Sequence, residues 1–210
     1  MTSAVLLVLA GYALGSIPWG FVLPRLLSGI DIRKQGSGNM GAANVWRTVG
    51  FKVGLVVALL DVAKGFVAAL LGLWLDGELV ALLAGIAAMA GHWRPLFLGF
   101  GRGGKIVATT GGVGLALAPL ASLSACAVWI ATFLLTRYTS VASMASAIAL
   151  PLGALLFGAS LPVVVFTAGA AVVILFLHRA NIVRLARGTE NRFELRKRSP
   201  PAAEGGESPV

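Results

Sequence analysis

Long runs of apolar residues, separated by short polar segments, dominate the chain. The runs are residues 1–24, 53–75, 79–93, 106–136 and 138–177. Only Asp61 and Lys64 place formal charges within them. A helix needs about 20 predominantly apolar residues to cross a bilayer. The pattern therefore predicts an all-α, polytopic membrane protein whose helices pack as a bundle.

Three of these runs need interpretation before the spans can be counted. The run 138–177 has 40 residues without a charge, so it must hold two spans, with a break at 158–162. The run 106–136 is long for one span, and Pro119 suggests a hairpin of two short ones. The first run lacks a basic start and is longer than the apolar core of a cleaved signal, so we interpret it as a span.

The distribution of lysines and arginines decides between six and seven spans. With seven, the N-terminus and the second, fourth and sixth loops carry none, and the basic loops all face one side. With six, Arg137 and the basic C-terminal segment would lie on opposite faces. Because cytoplasmic loops carry the positive excess, we predict about seven spans, N-terminus outside and C-terminus inside. The fourth, 106–118, would be only about 20 Å long.

Composition narrows the class further. Of 210 residues, 58% are hydrophobic and 12% are charged, which excludes an ordinary soluble enzyme. The net charge of +9 is interpreted as cytoplasmic loop charge, not as a nucleic-acid surface. One cysteine and two histidines predict neither a metal site nor a cofactor. We expect one integral membrane domain, 1–190, and a disordered polar cytoplasmic tail, 191–210, whose basic residues 196–198 contact lipid headgroups.

The first of three polar clusters on the predicted cytoplasmic side covers residues 36–47. Glycines alternate here with Ser37, Asn39 and Asn44, and Arg47 closes the segment. Glycine lets backbone N–H groups approach a ligand, and the short polar side chains add hydrogen bonds. A flexible loop joining two spans is the alternative, but it would not need so many polar residues so close together.

The second cluster covers residues 91–105, and its part 99–105 fits the pattern G-x-x-x-x-G-K. Ile106 stands where a nucleotide-hydrolysing loop needs Ser or Thr, so that class is not expected. The amides of Gly103 and Gly104, together with Arg102 and Lys105 and the start of a helix, still predict a phosphate site. Anchoring to lipid headgroups would explain the two charges but not the four glycines.

The third cluster begins at His178, which shares a helical face with Asn181. Arg184 is interpreted as a snorkelling residue of a juxtamembrane helix. Separately, Asp61 and Lys64 are spaced i, i+3 within a span, where isolated charges are costly. A mutual ion pair that holds the bundle and a role in chemistry both remain open for these two residues.

Four motifs in this order resemble the bacterial acyl-phosphate-dependent glycerol-3-phosphate acyltransferases. They are a Ser-Gly-Asn loop (37–47), an Asp-x-x-Lys-Gly segment (61–65), a Gly-rich phosphate loop (92–109) and a C-terminal His-Arg-x-Asn motif (178–190). The chain departs from the family pattern in four places. Ala43 replaces a Thr, Gly101 looks inserted, Arg102 replaces a Lys, and Ile106 replaces a Gly.

The resemblance implies acyl transfer from a fatty acyl phosphate to the 1-hydroxyl of glycerol 3-phosphate, in the bacterial cytoplasmic membrane with the site facing the cytoplasm. The implied catalytic residues are Ser37, Arg47, Lys105, His178 and Asn181. The implied substrate- or phosphate-binding residues are Gly38, Asn39, Asn44, Gly103, Gly104 and Ser143. Implied partners are the two substrates, membrane lipids and the enzyme that makes the acyl phosphate.

The chain also lacks the catalytic pattern of acyltransferases that use thioesters, which is consistent with an acyl phosphate donor. Phe97 and Val183 stand where a His-x4-Asp pattern, common in acyltransferases that use thioesters, would place Asp. An acyl phosphate is already activated, and its own phosphate can accept the hydroxyl proton, so no protein base is obligatory. A phosphate-type anion transporter or channel is the competing interpretation. It fits less well because transporter sites usually lie near the membrane midplane.

Overall fold

The computed structural model describes residues 2–193, and every regular element in this range is helical. The α-helices are α1 (Thr2–Gly15), α2 (Trp19–Ser28), α3 (Ala42–Thr48), α4 (Phe51–Asp76), α5 (Glu78–Trp93), α6 (Val107–Leu117), α7 (Pro119–Thr136), α8 (Thr139–Leu156), α9 (Leu161–Leu177) and α10 (Arg179–Ala186). Two short 3₁₀ turns lie at Ile32–Lys34 and Leu96–Leu98. The predicted all-α bundle is confirmed.

Five helical stretches are long and apolar enough to cross a membrane. They are Thr2–Ser28, Phe51–Asp76, Glu78–Leu98, Pro119–Thr136 and Thr139–Leu156. Helices α9 and α10 add a sixth if they count as one span, although they are bent by 54°. The predicted fourth span is an apolar helix of only 11 residues, α6, which is shorter than a straight crossing requires.

The breaks between helices follow from local sequence. Pro119 occupies the first turn of α7, where its missing N–H costs nothing, so the run 106–136 divides there as expected. The run 138–177 divides at 157–160, between α8 and α9. The first run also divides, between α1 and α2 at 16–18, a break that the charge pattern did not predict.

Small residues allow the helices to approach closely. Helices α4 and α6 cross at Gly65 and Gly112, where an added Cβ would lie 2.2 Å from the carbonyl oxygen of Thr109 and 2.0 Å from that of Val62. Since lipid tails are as apolar as leucine, membrane helices associate through such close packing. Many of the 27 glycines in the chain are therefore structural.

The buried core lies mainly among α5 to α9, and half of its residues are alanines; the larger members include Phe166 and Ile174. Large apolar side chains also cover the outside of the bundle: Leu135 and Leu156 are 82% and 79% exposed. A surface of this kind is stable in lipid and is unusual on a soluble protein.

The end of the described chain packs against the bundle. Phe193 is buried beside Trp46 and Phe133, and its amide donates to the carbonyl of Arg137 at 2.9 Å. These contacts hold the first residues of the predicted tail, 191–193. The rest of that tail, including the basic residues 196–198, lies outside the described residues.

Candidate active site

A cavity of about 510 Å³ lies between α4, α6, α7, α8 and α9. One end is polar and is formed by the loop 36–47, the start of α8 and the end of α9. The predicted site residues that line the cavity are Ser37, Asn39, Asn44, Arg47, Asp61, Lys105, Ser143, His178 and Asn181. The remaining wall is largely apolar and includes Leu115, Leu123 and Leu150, toward the opposite end of the bundle. The cavity therefore has a cationic end and an apolar groove that continues from it.

The loop 36–47 is held in shape by its own asparagines. The side chain of Asn44 is buried, accepts from the amide of Ser37 at 3.1 Å, and donates to the carbonyl of Gln35 at 3.0 Å. Asn39 accepts from the amide of Gly41 at 2.7 Å. Gly38 has a φ of +66° and does not line the cavity. Asn44 and Gly38 thus shape the loop, and Ser37, Asn39 and Asn44 line the cavity.

Arg47 is presented by α3 at the polar end. Its Nη2 donates to Thr139 Oγ1 at 2.8 Å, and its guanidinium lies 4.6 Å from the centre of the Phe193 ring. Its Nε is buried and has no hydrogen-bond partner among residues 2–193. Burial lowers the pKa of the guanidinium, but arginine remains charged in proteins. An unpartnered N–H of a buried cation is suited to an anionic ligand.

The glycines of the Gly-rich loop, residues 99–105, do not form the expected cradle of free amides. The amide of Gly103 donates to the carbonyl of Trp93 at 2.9 Å, and that of Gly104 donates to the carbonyl of His92 at 3.0 Å. Both glycines are buried and lie away from the large cavity. The prediction that these amides face a phosphate is therefore wrong, because they dock the loop onto α5.

The loop nevertheless presents its lysine to the cavity. Lys105 Nζ donates to Asn181 Oδ1, which joins two motifs that are 76 residues apart. Burial is the main cause that lowers the pKa of the ammonium, to about 8. Arg102 lies at the cavity edge and is exposed. Ile106, which lies between the loop and α6, has a φ of +60°, a conformation that a β-branched residue rarely adopts and that glycine adopts freely.

A carboxylate that the motif analysis did not place in the site organises the third cluster. Glu190 Oε1 accepts from Asn181 Nδ2 at 2.7 Å and from Ser140 Oγ at 2.9 Å. Glu190 Oε2 accepts from Arg184 Nε at 2.6 Å. Burial alone would raise the pKa of Glu190, but these donors outweigh it and keep the pKa below its usual value. Arg184, interpreted above as a snorkelling residue, is part of this network.

His178 lies at the bend between α9 and α10 and is buried. Its Nδ1 lies 2.8 Å from the carbonyl oxygen of Ile174, and a carbonyl only accepts. Nδ1 therefore carries the proton when the ring is neutral, and Nε2 holds the lone pair. His178 lines the cavity, so the ring can accept a hydrogen bond there as a neutral group or donate one when protonated.

Asp61 and Lys64 form a buried pair, with Nζ 2.8 Å from Oδ1. Lys64 Nζ also donates to the carbonyl of Ile17 at 3.2 Å. The sequence left open whether this pair holds the bundle or takes part in chemistry. His92, which the sequence analysis did not select, approaches Asp61 with its Nδ1 3.4 Å from Oδ1. We refer to Asp61, Lys64 and His92 as the Asp61 cluster.

Sequence reasoning missed several groups that contact the predicted residues. Ser143 accepts a hydrogen bond from Trp129 Nε1 at 3.2 Å. Nearby on the same helix, Thr139 accepts a hydrogen bond from Arg47, and Ser140 donates one to Glu190. One signal was available: Glu190 is the first carboxylate after Glu78. An acid that follows more than 100 residues without a carboxylate is a reason to look for a buried partner.

Comparison with known proteins gives a consistent result. The family model described as "Glycerol-3-phosphate acyltransferase" matches residues 5–188. The glycerol-3-phosphate acyltransferase of Desulforudis audaxviator (strain MP104C) is 48% identical over 195 residues, 92% of this chain and 98% of the relative. That of Roseiflexus sp. (strain RS-1) is 48% identical over 200 residues, 91% of this chain and 96% of the relative.

Solved structures agree in fold. A crystal structure of PlsY, an integral membrane glycerol 3-phosphate acyltransferase, in its glycerol 3-phosphate form superposes with a TM-score of 0.87. It is 41% identical and covers 91% of this chain and 96% of its own. The lysophosphatidic acid form of PlsY gives a TM-score of 0.85. The match of the family model over most of the length, together with this fold, shows that the chain belongs to the glycerol-3-phosphate acyltransferase family.

Proposed function

We propose that this protein transfers a fatty acyl group from acyl phosphate to the 1-hydroxyl of glycerol 3-phosphate, which yields lysophosphatidate and inorganic phosphate. The observation that carries the proposal is the cavity itself. Its cationic end holds Arg47 and Lys105, and its apolar wall extends along the helices. An acyl phosphate has the same division between an anionic head and an oily chain. Glycerol 3-phosphate supplies the second anion.

The cations hold the two phosphates. Lys105 binds one phosphate from the loop end, and Arg47 binds the other with the Nε that has no partner within residues 2–193. Charge-assisted bonds of this kind are short and about twice as strong as neutral ones. Ser37, Asn39 and Ser143 add neutral hydrogen bonds that orient the glycerol and the acyl carbonyl. Fixing both reactants in this way contributes about 7–11 kcal/mol where the geometry is favourable.

The reaction needs no acyl-enzyme. The 1-hydroxyl oxygen of glycerol 3-phosphate attacks the acyl carbonyl carbon, and the bond from that carbon to the phosphate oxygen breaks. The hydroxyl proton passes to the departing phosphate, so atoms and charge balance within the two substrates. His178 Nε2 accepts a hydrogen bond from a protonated phosphate oxygen at the cavity wall, and Asn181 fixes the Lys105 ammonium. The protein stabilises the charge that develops on the leaving phosphate.

The site belongs at the cytoplasmic face of the bacterial inner membrane. In the proposed topology seven segments cross, α6 is the short fourth one, and the N-terminus is outside. The support is the charge pattern, since the loops that hold Arg47 and Lys105 are the basic ones. Glycerol 3-phosphate then arrives from the cytosol. Acyl phosphate, with a water-soluble head, arrives from the enzyme that makes it or along the membrane surface.

The test uses the purified protein in detergent or vesicles, with palmitoyl phosphate and glycerol 3-phosphate. We expect lysophosphatidate and inorganic phosphate in a one-to-one ratio. Glycerol in place of glycerol 3-phosphate should be a poor acceptor, because one of the two anion sites is then empty. Equal rates with glycerol, or phosphate release without lysophosphatidate, would contradict the proposal.

A further inference from the structure

The Asp61 cluster lies where the Gly-rich loop meets the bundle. Its three side chains are at most 8% exposed and come from α4 and α5. Through Lys64 the cluster also reaches the carbonyl of Ile17, in the break between α1 and α2. The cluster therefore joins α4, α5 and the break between α1 and α2. It also contacts the loop that carries Lys105.

The Gly-rich loop rests directly on the His92 ring. A Cβ added to Gly104 would lie 2.0 Å from Nε2 of His92 and 2.6 Å from its Cε1, so the glycine backbone is in contact with the imidazole. The amide of Gly104 also donates to the carbonyl of His92. Lys105 is the next residue. The position of the ring therefore determines the position of Gly104 and, through the peptide bond that follows, the position of Lys105.

Both ring nitrogens of His92 have close neighbours, although the ring is among the residues that line the large cavity. Its Nδ1 faces Asp61, and its Nε2 is covered by Gly104. The imidazole lies between the carboxylate of Asp61 on one side and the backbone of Gly104 on the other.

Stability alone does not account for a buried ion pair at this place. Replacing such a pair by apolar side chains of similar volume is often neutral or stabilising, because desolvation offsets the attraction between the charges. What apolar side chains would not provide is a carboxylate beside Nδ1 of His92, which lies 3.4 Å from Asp61 Oδ1. The pair therefore contacts a residue outside α4, namely His92 of α5.

We propose that Asp61 and His92 are positioning residues for the reaction, which act through Gly104 to fix Lys105 against the phosphate. Lys64 holds Asp61 in place. This inference rests on the proposed function, since Lys105 is placed there as a phosphate-binding residue. It assigns to the intramembrane charges a part in catalysis that is exerted through the Gly-rich loop.

The first test replaces the pair without leaving a lone charge, with Asp61→Leu and Lys64→Met combined. The proposal predicts a folded protein whose kcat/KM for glycerol 3-phosphate and acyl phosphate is lower by about 10- to 100-fold, since a 1 Å displacement at a site can cost about a hundredfold. Thr167→Val is the matched control. Thr167 is fully buried in α9, bonds only to the carbonyl of Val164, and does not line the cavity. Its kcat/KM should remain within about twofold of wild type.

A double-mutant cycle separates positioning from a general loss of fold, and it remains informative if the paired variant does not fold. If His92 acts through Lys105, then His92→Ala should lower kcat/KM about tenfold in the wild type. In a Lys105→Ala background it should lower it by less than about threefold, because coupled residues are not additive. Equal losses in the two backgrounds would overturn the proposal.

Amide hydrogen exchange gives a readout that needs no activity. In His92→Ala, residues 99–105 should exchange faster than in the wild type, and residues 36–47 should not. Unchanged protection of residues 99–105 would also overturn the proposal. Wild-type turnover is measured first. A wild type that makes no lysophosphatidate contradicts the proposed function, whereas an active wild type with an additive cycle contradicts only this inference.

Discussion

Replacing Lys105 with Ala removes the ammonium from the polar end of the cavity. That group donates to Asn181, and it is the only lysine that lines the described cavity. A charge-assisted hydrogen bond contributes about 1.5–3 kcal/mol net. Because about 1.4 kcal/mol corresponds to a factor of ten, kcat/KM should fall by about 12- to 150-fold. The loss grows if the bond strengthens as the phosphate departs.

The assay follows lysophosphatidate formation at sub-saturating concentrations of both substrates. Arg102→Ala is the matched control, since Arg102 is a nearby cation of the same loop that is exposed at the cavity edge. Its effect should be less than about threefold, as for most exposed charges. Wild-type turnover by Lys105→Ala, or an equal loss in both variants, would refute a specific phosphate contact at Lys105.

Three further outcomes are expected. Because burial lowers the pKa of Lys105 to about 8, the binding-competent cation is present below that pH and lost above it; kcat/KM should fall on the alkaline side, and Lys105→Arg should remove that fall. In intact cells an impermeant thiol reagent should label Asp76→Cys and spare Arg102→Cys in a cysteine-free background, and the reverse pattern would invert the topology. Gly65→Ala should lower the free energy of unfolding by about 1–3 kcal/mol, because the new Cβ meets a backbone carbonyl, whereas Gly169→Ala has open space; calorimetry of both variants checks this.

The bundle and most of the polar end could be predicted from the sequence because the signals are local. The charge-free runs predict the helices, and Pro119 predicts the break between two of them. Polar residues that cluster in an otherwise apolar chain indicate a loop or a site. The structure does bring Arg47, Lys105, His178 and Asn181 to one cavity. The break between α1 and α2 was missed, since residues 1–24 form one apolar run even though Pro18 lies within it.

Roles that depend on tertiary contacts could not be predicted. The amides of Gly103 and Gly104 donate to backbone carbonyls at the end of α5, and no spacing within the loop encodes that docking. Asn44, which the resemblance implies to be a substrate-binding residue, lines the cavity and also uses its side-chain amide to close the loop 36–47. His92 stood in a selected motif, but its contact with Asp61 comes from another helix. Residues distant in sequence thus decide which member of a motif is structural.

The most direct test of the central claim compares two acyl donors. The purified protein is given glycerol 3-phosphate with either palmitoyl phosphate or palmitoyl-CoA, the latter freed of acyl phosphate, and lysophosphatidate is measured. We predict rapid formation with the acyl phosphate and none above background with the thioester, because a thioester has no departing phosphate that could accept the hydroxyl proton or bind the cations of the cavity. Comparable rates with both donors would contradict the proposal that the protein works by holding an already activated phosphate anhydride.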